Sequence, residues 1–420
     1  MKLRLENVSM ITEATVEVVG VTVITGDNDT GKSTVGKALF SLFNSFFDTK
    51  RQHCLEILDA VINVIPHPDF DPLAQRENYI EFADVLHYAQ SMHVEISKQI
   101  VRDFELTEIL NQIKSQIHHL PIEESVKEKV ISDIDNKASL SPSTYNNLRL
   151  HRFLNGNFTN HVTTLGKPEN TKSLIGLSMK QDTIQLQASI VNSTLELYGS
   201  ESLYTQAIFI DSPRILDAHL WLPASTRFST EAYLRKLLEK PTADNLSDQA
   251  DFSNKFQDIV ACFNKINIGS LNKEKNRYFY TSPNGQTLPI RNISTGIKVF
   301  AIIRHLFFNQ SLEANGTLIL DEPEIHLHPD WQLTLAELIV LLQRDLGMHI
   351  LLTTHSPYFL EAIEVYSEKY GIQDKCRYYM SRKEEGGVVF DDYTGRTVPD
   401  MYDHFAKAYQ TLERETYAPR

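Results

Sequence analysis

Gly26-Asp-Asn-Asp-Thr-Gly-Lys32-Ser33 is the stretch from which the rest of the chain is read. It fits G-x-x-x-x-G-K-[ST], the spacing at which a glycine-rich turn offers successive backbone N–H groups to phosphate oxygens. The motif has meaning only between a strand and a helix, and both flanks are present. Val21, Val23 and Ile24 lie in a short apolar run suited to a buried strand, and Val35, Ala38, Leu39, Leu42, Phe43, Phe46 and Phe47 then recur at helical spacing. The positive end of that helix faces the phosphates, Lys32 reaches the β and γ oxygens, and the Ser33 hydroxyl ligates Mg²⁺. Nucleotide contact is thus assigned to Gly26, Asp27, Asn28, Asp29, Thr30, Gly31, Lys32, Ser33 and Thr34.

A second motif lies far downstream. Thr317-Leu-Ile-Leu320 reads as a buried parallel strand that ends in Asp321-Glu322-Pro323-Glu324. Asp321 at the strand end suits the Mg²⁺ shell, and Glu322, one step on, suits the general base that polarises water. This is the Walker B arrangement. Apolar positions including Leu333, Ala336, Leu338 and Leu341 predict a helix over about 330–346, stopped at Gly347, and His349-Ile-Leu-Leu352 then predicts another buried strand. That strand ends in Thr353-Thr354-His355-Ser356-Pro357, which places an imidazole at the carboxyl edge of a parallel sheet. Between the two motifs, Asn292-Ile-Ser294-Thr295-Gly296-Ile297-Lys298 precedes a helix with Val299, Ile302, Ile303, Leu306 and Phe307 on its apolar face; Ser294 reads as its N-cap.

Taken in order, the Asn28-bearing loop, Ser-Thr-Gly-Ile-Lys, Leu-Ile-Leu-Asp-Glu-Pro-Glu-Ile-His-Leu-His-Pro and Thr-Thr-His-Ser-Pro resemble the ABC-type ATPase heads of the RecF, SMC and OLD class. In texture they are similar to the OLD-like ATPases of bacterial anti-phage systems such as Septu and PARIS. The resemblance implies an α/β P-loop NTPase of ABC type, with a mostly parallel sheet, an antiparallel β-subdomain and a helical insertion. It implies ATP and Mg²⁺ as cofactors, with Ser33 and Asp321 holding the metal. Glu322, His355 (the switch histidine) and Lys32 are the implied catalytic residues. Two heads would sandwich two ATPs in a head-to-head homodimer or a higher oligomer. Ser294, Thr295 and Gly296 would then touch the partner's nucleotide, with His328, Pro329 and Asp330 as the D-loop. The chain departs from transporter motors in reading Ile-Ser-Thr-Gly-Ile at the signature. Asp211 or Ser212 stands where the family's glutamine loop belongs, and base recognition is left unassigned.

Composition bounds the rest. The 420 residues carry a formal net charge of −13, so nucleic-acid contact is expected only through a local patch. Cys54, Cys262 and Cys376 are isolated, which suits a reducing cytoplasm. The amino terminus shows no apolar signal core and no run of apolar residues suits a membrane span, so a cytoplasmic location is expected. Five segments are expected: 1–48 as the first part of the head, 49–171 as a helical insertion, 172–213 as antiparallel strands, 214–285 as a helical lobe, and 286–420 as the second part of the head. In the insertion, Leu55, Leu58, Ile62 and Ile65, then Ile96, Ile100 and Phe104, then Leu106, Leu110, Ile113 and Ile117 mark amphipathic helices, and Pro121 opens another through Val126 and Val130. The runs are too short for a coiled-coil arm, so a small bundle is expected. Ile175, Leu177, Met179 and then Ile184, Leu186, Ala188 and Ile190 alternate about a Gln181-Asp182 turn as a hairpin.

Other features read as structural. His326 and His328 belong with the D-loop and not with a zinc site. Lys273, Lys275, Arg277, Tyr278, Phe279 and Tyr280 mix cations with aromatics, but a loop entering a strand is the plainer reading. Glu384, Glu385, Asp391 and Asp392 flank a glycine turn and read as solvated. The 65 residues after His355 are too few for an appended TOPRIM nuclease. Three function classes follow: an ATP-gated anti-phage switch that senses a trigger and controls a separately encoded nuclease or toxin, a RecF-like DNA-repair or chromosome-associated ATPase, and an OLD-like nuclease with an unrecognised site.

Overall fold

The computed structural model describes residues 1–64, 87–96, 105–119, 124–159, 161–164, 166–168, 170–180, 182–192, 194–199, 202–217, 228–242, 252–274, 277–395 and 401. Of the positions read above, Ile65, Ile100, Phe104, Pro121, Gln181 and Lys275 lie outside the described residues, as does the side chain of Val126. Numbered along the chain, the strands are β1 (Lys2–Val8), β2 (Ile11–Glu17), β3 (Val21–Gly26), β4 (Ser173–Met179), β5 (Ile184–Val191), β6 (Thr194–Tyr198) and β7 (Ala207–Ile210). They continue as β8 (Ser270–Glu274), β9 (Arg277–Thr281), β10 (Thr287–Pro289), β11 (Thr317–Asp321), β12 (His349–Thr353), β13 (Cys376–Glu384) and β14 (Gly387–Asp392).

The strands that read as unbroken apolar runs are those buried on both faces. β3 and β7 are buried throughout, and β11 and β12 at all but one terminal residue. These four lie side by side with β13 in the order β13-β3-β12-β11-β7, and every pairing among them is parallel. The register aligns Ile24 with Thr353, Thr353 with Asp321, and Leu320 with Ile210, so the four carboxyl ends open at one edge. β1 instead alternates exposed and buried residues, as a strand in an antiparallel sheet does. The order β6-β5-β4-β1-β2 is antiparallel, and β4 meets β5 with Ile175 opposite Ala188 and Leu177 opposite Leu186, the hairpin that alternation predicts. The fold is α/β, and its antiparallel strands are no separate layer: through β14 they extend the parallel strands into one eleven-stranded sheet.

The helix Lys32–Ser45 packs on the centre of this sheet. A methyl group on Gly36 would lie 2.6 Å from the Phe209 ring and 2.9 Å from Ile319, so only glycine allows that approach. The helix stops at Ser45, earlier than the apolar spacing through Phe47 suggests. Phe46 instead offers its carbonyl to the Leu203 N–H at 2.8 Å.

By internal contacts the chain divides into two compact units. One comprises Met1–Ser45, Arg149–Glu201 and Thr205–Arg420, and the other Phe46–Leu148 with Ser202–Tyr204. The division puts residues 149–171 with the head and not with the insertion. In the smaller unit, the helices Thr49–Val64, Leu106–His118 and Glu124–Ala138 bury Leu55, Leu58, Leu110, Ile113, Ile117, Val130 and Ile134 in a single apolar cluster. The segment 214–285 is not wholly helical. It holds the helices Thr230–Leu238 and Gln257–Lys265, but also β8 and β9, which form a three-stranded antiparallel sheet with β10. Tyr278 and Tyr280 turn inward there, 8% and 5% exposed, and the Tyr280 hydroxyl accepts from the Gly269 N–H at 2.7 Å. Two of the three aromatic rings of the suspected nucleic-acid patch are therefore core, unavailable for stacking on bases.

Candidate functional site

β3 delivers the phosphate loop to the carboxyl edge. Gly26, with φ +135°, lies so close to β13 that a methyl group would sit 2.2 Å from the Ser381 carbonyl oxygen. The loop is braced from within and from that strand. The Thr30 hydroxyl donates to Asp27 O at 2.7 Å and lies 2.6 Å from Ser381 Oγ, which donates in turn to Thr25 O at 3.1 Å. Lys32, 5% exposed, turns its ammonium back onto the loop and donates to Asp27 O at 2.7 Å and Gly26 O at 3.3 Å. Burial lowers its pKa, against the pull of Glu322, Asp321, Asp27 and Asp29. The loop carbonyls are neutral acceptors, and phosphate oxygens are stronger ones for the same cation.

β11 and β12 bring the other groups to the same place. The Thr353 hydroxyl, at the end of β12, donates to Asp321 Oδ1 at 2.6 Å, and Glu322 N donates to Thr353 O at 3.2 Å. Glu322 takes a left-handed backbone, φ 47°, a strained setting for a residue with a Cβ and one that recurs at functional positions. Its Oε1 lies 2.9 Å from His355 Nε2, at ion-pair distance but without hydrogen-bond alignment. Burial lowers the pKa of His355, the Lys32 charge lowers it further, and Glu322 opposes both. A half-buried neutral imidazole thus lies beside a strained carboxylate and an ammonium.

Ser33, Asp211, Asp321, Glu322, Pro323 and His326 line one pocket of about 180 Å³. A hydroxyl and carboxylates are the hard oxygen donors that Mg²⁺ takes, so Ser33 and Asp321 fit the metal the sequence implies. Asp211 leaves β7 beside Asp321, where the missing glutamine loop is expected; burial, and then Glu231, push its carboxyl above the ordinary range. Ser294, Thr295 and Gly296 do not line this pocket. Ser294 caps the helix Thr295–Phe308 by accepting from Ile297 N at 3.5 Å and is itself exposed, while a methyl group on Gly296 would lie 3.0 Å from the His326 carbonyl oxygen. His328 caps the helix Pro329–Leu346. Glu384 and Asp391 pair with Arg382, and no cluster of three or more metal-ligating side chains occurs among the described residues.

Three features escaped the sequence reading. Glu324, 2% exposed, accepts from the Thr354 hydroxyl and from His355 N at 3.2 Å, while its Oε2 has no partner. Burial raises its pKa against the hydrogen bonds it accepts. It holds the backbone that carries His355. The second glutamate of Asp-Glu-Pro-Glu was its only signal. Lys298, 4% exposed, donates to both Asp217 oxygens at 2.7 and 2.8 Å and ties the signature helix to the segment after β7. Ser381 had no local signal at all.

A family model described as "AAA domain, putative AbiEii toxin, Type IV TA system" matches residues 46–361, most of the chain, beginning beyond the phosphate loop. The chain belongs to this AAA-domain family. It is also 26% identical over 145 residues to a protein named "Retron Vc95 probable ATPase" from Vibrio cholerae serotype O1 biovar El Tor. That alignment spans 31% of this chain and 28% of the relative's length. Among solved structures, an SMC head bound to the C-terminal winged-helix domain of ScpA is 12% identical with a TM-score of 0.42, covering 95% of this chain and 98% of that one. The SMC head domain from Thermotoga maritima is 10% identical with a TM-score of 0.40, covering 93% of this chain and 97% of that one. These likenesses are loose, and the fold assignment rests on the sheet order.

Proposed function

We propose that the chain binds and hydrolyses ATP and works as a dimeric switch that controls a separately encoded effector in anti-phage defence. One observation carries the catalytic part: the chain order scatters Lys32, Ser33, Asp321, Glu322 and His355, and the parallel register gathers them at the carboxyl ends of β3, β11 and β12. In this reading the loop N–H groups and Lys32 hold the triphosphate, Glu322 takes a proton from the attacking water, and neutral His355 holds the γ-phosphate end. Mg²⁺, when bound by Ser33 and Asp321, neutralises phosphate charge. The defence context is supported by the retron ATPase relative and by the motif texture; a cytoplasmic location goes with it. The exposed Ser294 end of the signature helix is free to meet a second copy's nucleotide.

The test is ATP turnover by the purified chain with Mg²⁺. Lys32→Ala should abolish turnover. Glu322→Gln should keep ATP binding, lower hydrolysis by about a hundred-fold or more, and accumulate a dimer by mass measurement. Wild-type turnover in either variant overturns the assignment of that residue.

A further inference from the structure

We propose that Ser381 is a positioning residue for the phosphate loop: its hydroxyl, on β13, fixes Thr30 and keeps the loop in its phosphate-cradling form when Lys32 turns from the loop to the nucleotide. The inference rests on the nucleotide reading above and adds to it a residue that lies outside every motif.

The loop leaves β3 between two parallel neighbours. On one side β12 brings Thr353 and, just beyond its end, His355. On the other side β13 runs in register from Cys376 opposite Val21 to Ser381 opposite Gly26, and β14 in turn holds Ser381 opposite Phe390. Ser381 is thus fully buried, between two strands, at the point where the loop begins. A methyl group on Gly26 would lie 2.4 Å from Ser381 Oγ, so the first glycine of the motif leaves the room through which this hydroxyl reaches the loop. Thr30 is buried as well, and its hydroxyl meets Ser381 Oγ at 2.6 Å and Asp27 O at 2.7 Å. Thr30, assigned to nucleotide contact from the motif, commits its side chain to the loop's own structure.

Each hydroxyl carries one proton to donate. Thr30 and Ser381 together have two for three close contacts: with each other, with Asp27 O, and with Thr25 O, the last at 3.1 Å from Ser381 Oγ. One contact goes without a proton, and the Lys32 ammonium decides which. It donates to Asp27 O at 2.7 Å, and with that carbonyl served, Thr30 donates to Ser381 and Ser381 to Thr25 O. Phosphate oxygens are the stronger acceptors and draw Lys32 off the loop carbonyls. Asp27 O then takes the Thr30 proton, and Ser381 reverses to donate to Thr30. The 2.6 Å contact keeps a proton in both arrangements, so the tie between loop and sheet survives the loss of both Lys32 bonds to the loop. Without that tie the nucleotide itself would have to order the loop, at a cost in affinity.

Competition binding and steady-state kinetics on the full chain with Mg²⁺ test this, using ATP and inorganic tripolyphosphate as probes. Ser381→Ala should weaken both probes by the same factor, about two- to ten-fold for one hydrogen bond, and raise KM with kcat nearly unchanged. Thr30→Val keeps the shape, removes the hydroxyl and should weaken both probes at least as much, whereas Thr30→Ser keeps the hydroxyl and should stay near wild type. Because the two hydroxyls act as a unit, adding Ser381→Ala to Thr30→Val should cost nothing further. Unchanged affinity in Ser381→Ala, whatever its urea midpoint, overturns the proposal and leaves Ser381 a brace of the sheet, as do losses that add in the double variant. Should Ser381→Ala not fold, the Thr30 pair decides: equal affinity of Thr30→Val and Thr30→Ser overturns the proposal. Binding of neither probe by wild type overturns the phosphate-loop reading and this one with it.

Discussion

At the scale of the residue, Glu324 separates positioning from chemistry. Its Oε1 holds His355 N and the Thr354 hydroxyl, and both of those contacts need an acceptor, not a charge. Glu324→Gln keeps a carbonyl oxygen in place and should retain most ATP turnover. Glu324→Ala strands a buried hydroxyl and a backbone N–H, costs about 1–3 kcal/mol of stability, and should lower kcat more than KM as His355 loses its fixed position. Steady-state kinetics and urea unfolding on both variants check this; equal kinetics in Ala and Gln would remove Glu324 from the site. Gly26 is the stricter case. Gly26→Ala meets a backbone oxygen and an unfavourable φ together, and it should abolish nucleotide binding as measured by competition binding.

At the scale of the element, Glu337 ties three helices together. It sits on the helix Pro329–Leu346, 3% exposed, and accepts from Lys265 on the helix Gln257–Lys265. It also accepts from Lys369 Nζ at 3.0 Å, at the end of the helix Pro357–Lys369, and from the Tyr370 hydroxyl at 2.6 Å. Burial alone would raise its pKa, but the bonds from Lys265, Tyr370 and Lys369 outweigh it and bring it to about 2. A carboxylate with a depressed folded pKa stabilises the protein above its ordinary value of 4.5, and that contribution is lost as pH falls toward about 2. Glu337→Gln should therefore cost about 1–3 kcal/mol at pH 7 and progressively less below pH 4.5, read as the difference between urea midpoints of variant and wild type. A constant difference from pH 7 to pH 3 would contradict it.

At the scale of the whole molecule, the proposed switch needs two chains. In a mixed dimer of Lys32→Ala with Ser294→Arg, one composite site keeps both an intact loop and an intact signature serine. Each variant alone should be inactive, and mixing should recover up to about half the turnover if the two sites act independently. Recovered activity requires a nucleotide shared between chains. The purified chain alone should leave DNA and RNA uncut, since Glu384 of β13 and Asp391 of β14 are each paired with Arg382; robust cleavage would favour the nuclease reading. Replacing the smaller unit with a short Gly/Ser linker should spare nucleotide binding and lose association with the effector in a pull-down; retained association would place the docking surface elsewhere.

The chain's own order of residues was enough for the phosphate loop, the Asp321-Glu322 strand end and the capped signature helix. Each is a local pattern in which backbone chemistry and side-chain period lie within one or two turns of the motif. The amphipathic positions of the smaller unit were legible for the same reason. Tertiary structure alone decided the rest. Ser381 braces Thr30 from 351 positions away, and Lys298 reaches Asp217 across 81. Tyr278 and Tyr280 turned inward because a third strand, β10, completes a small sheet that a mixed run of cations and aromatics does not announce. Contacts of that kind depend on which strands pair and in which register, and that is settled by the burial of the entire sheet, not by any local run of residues.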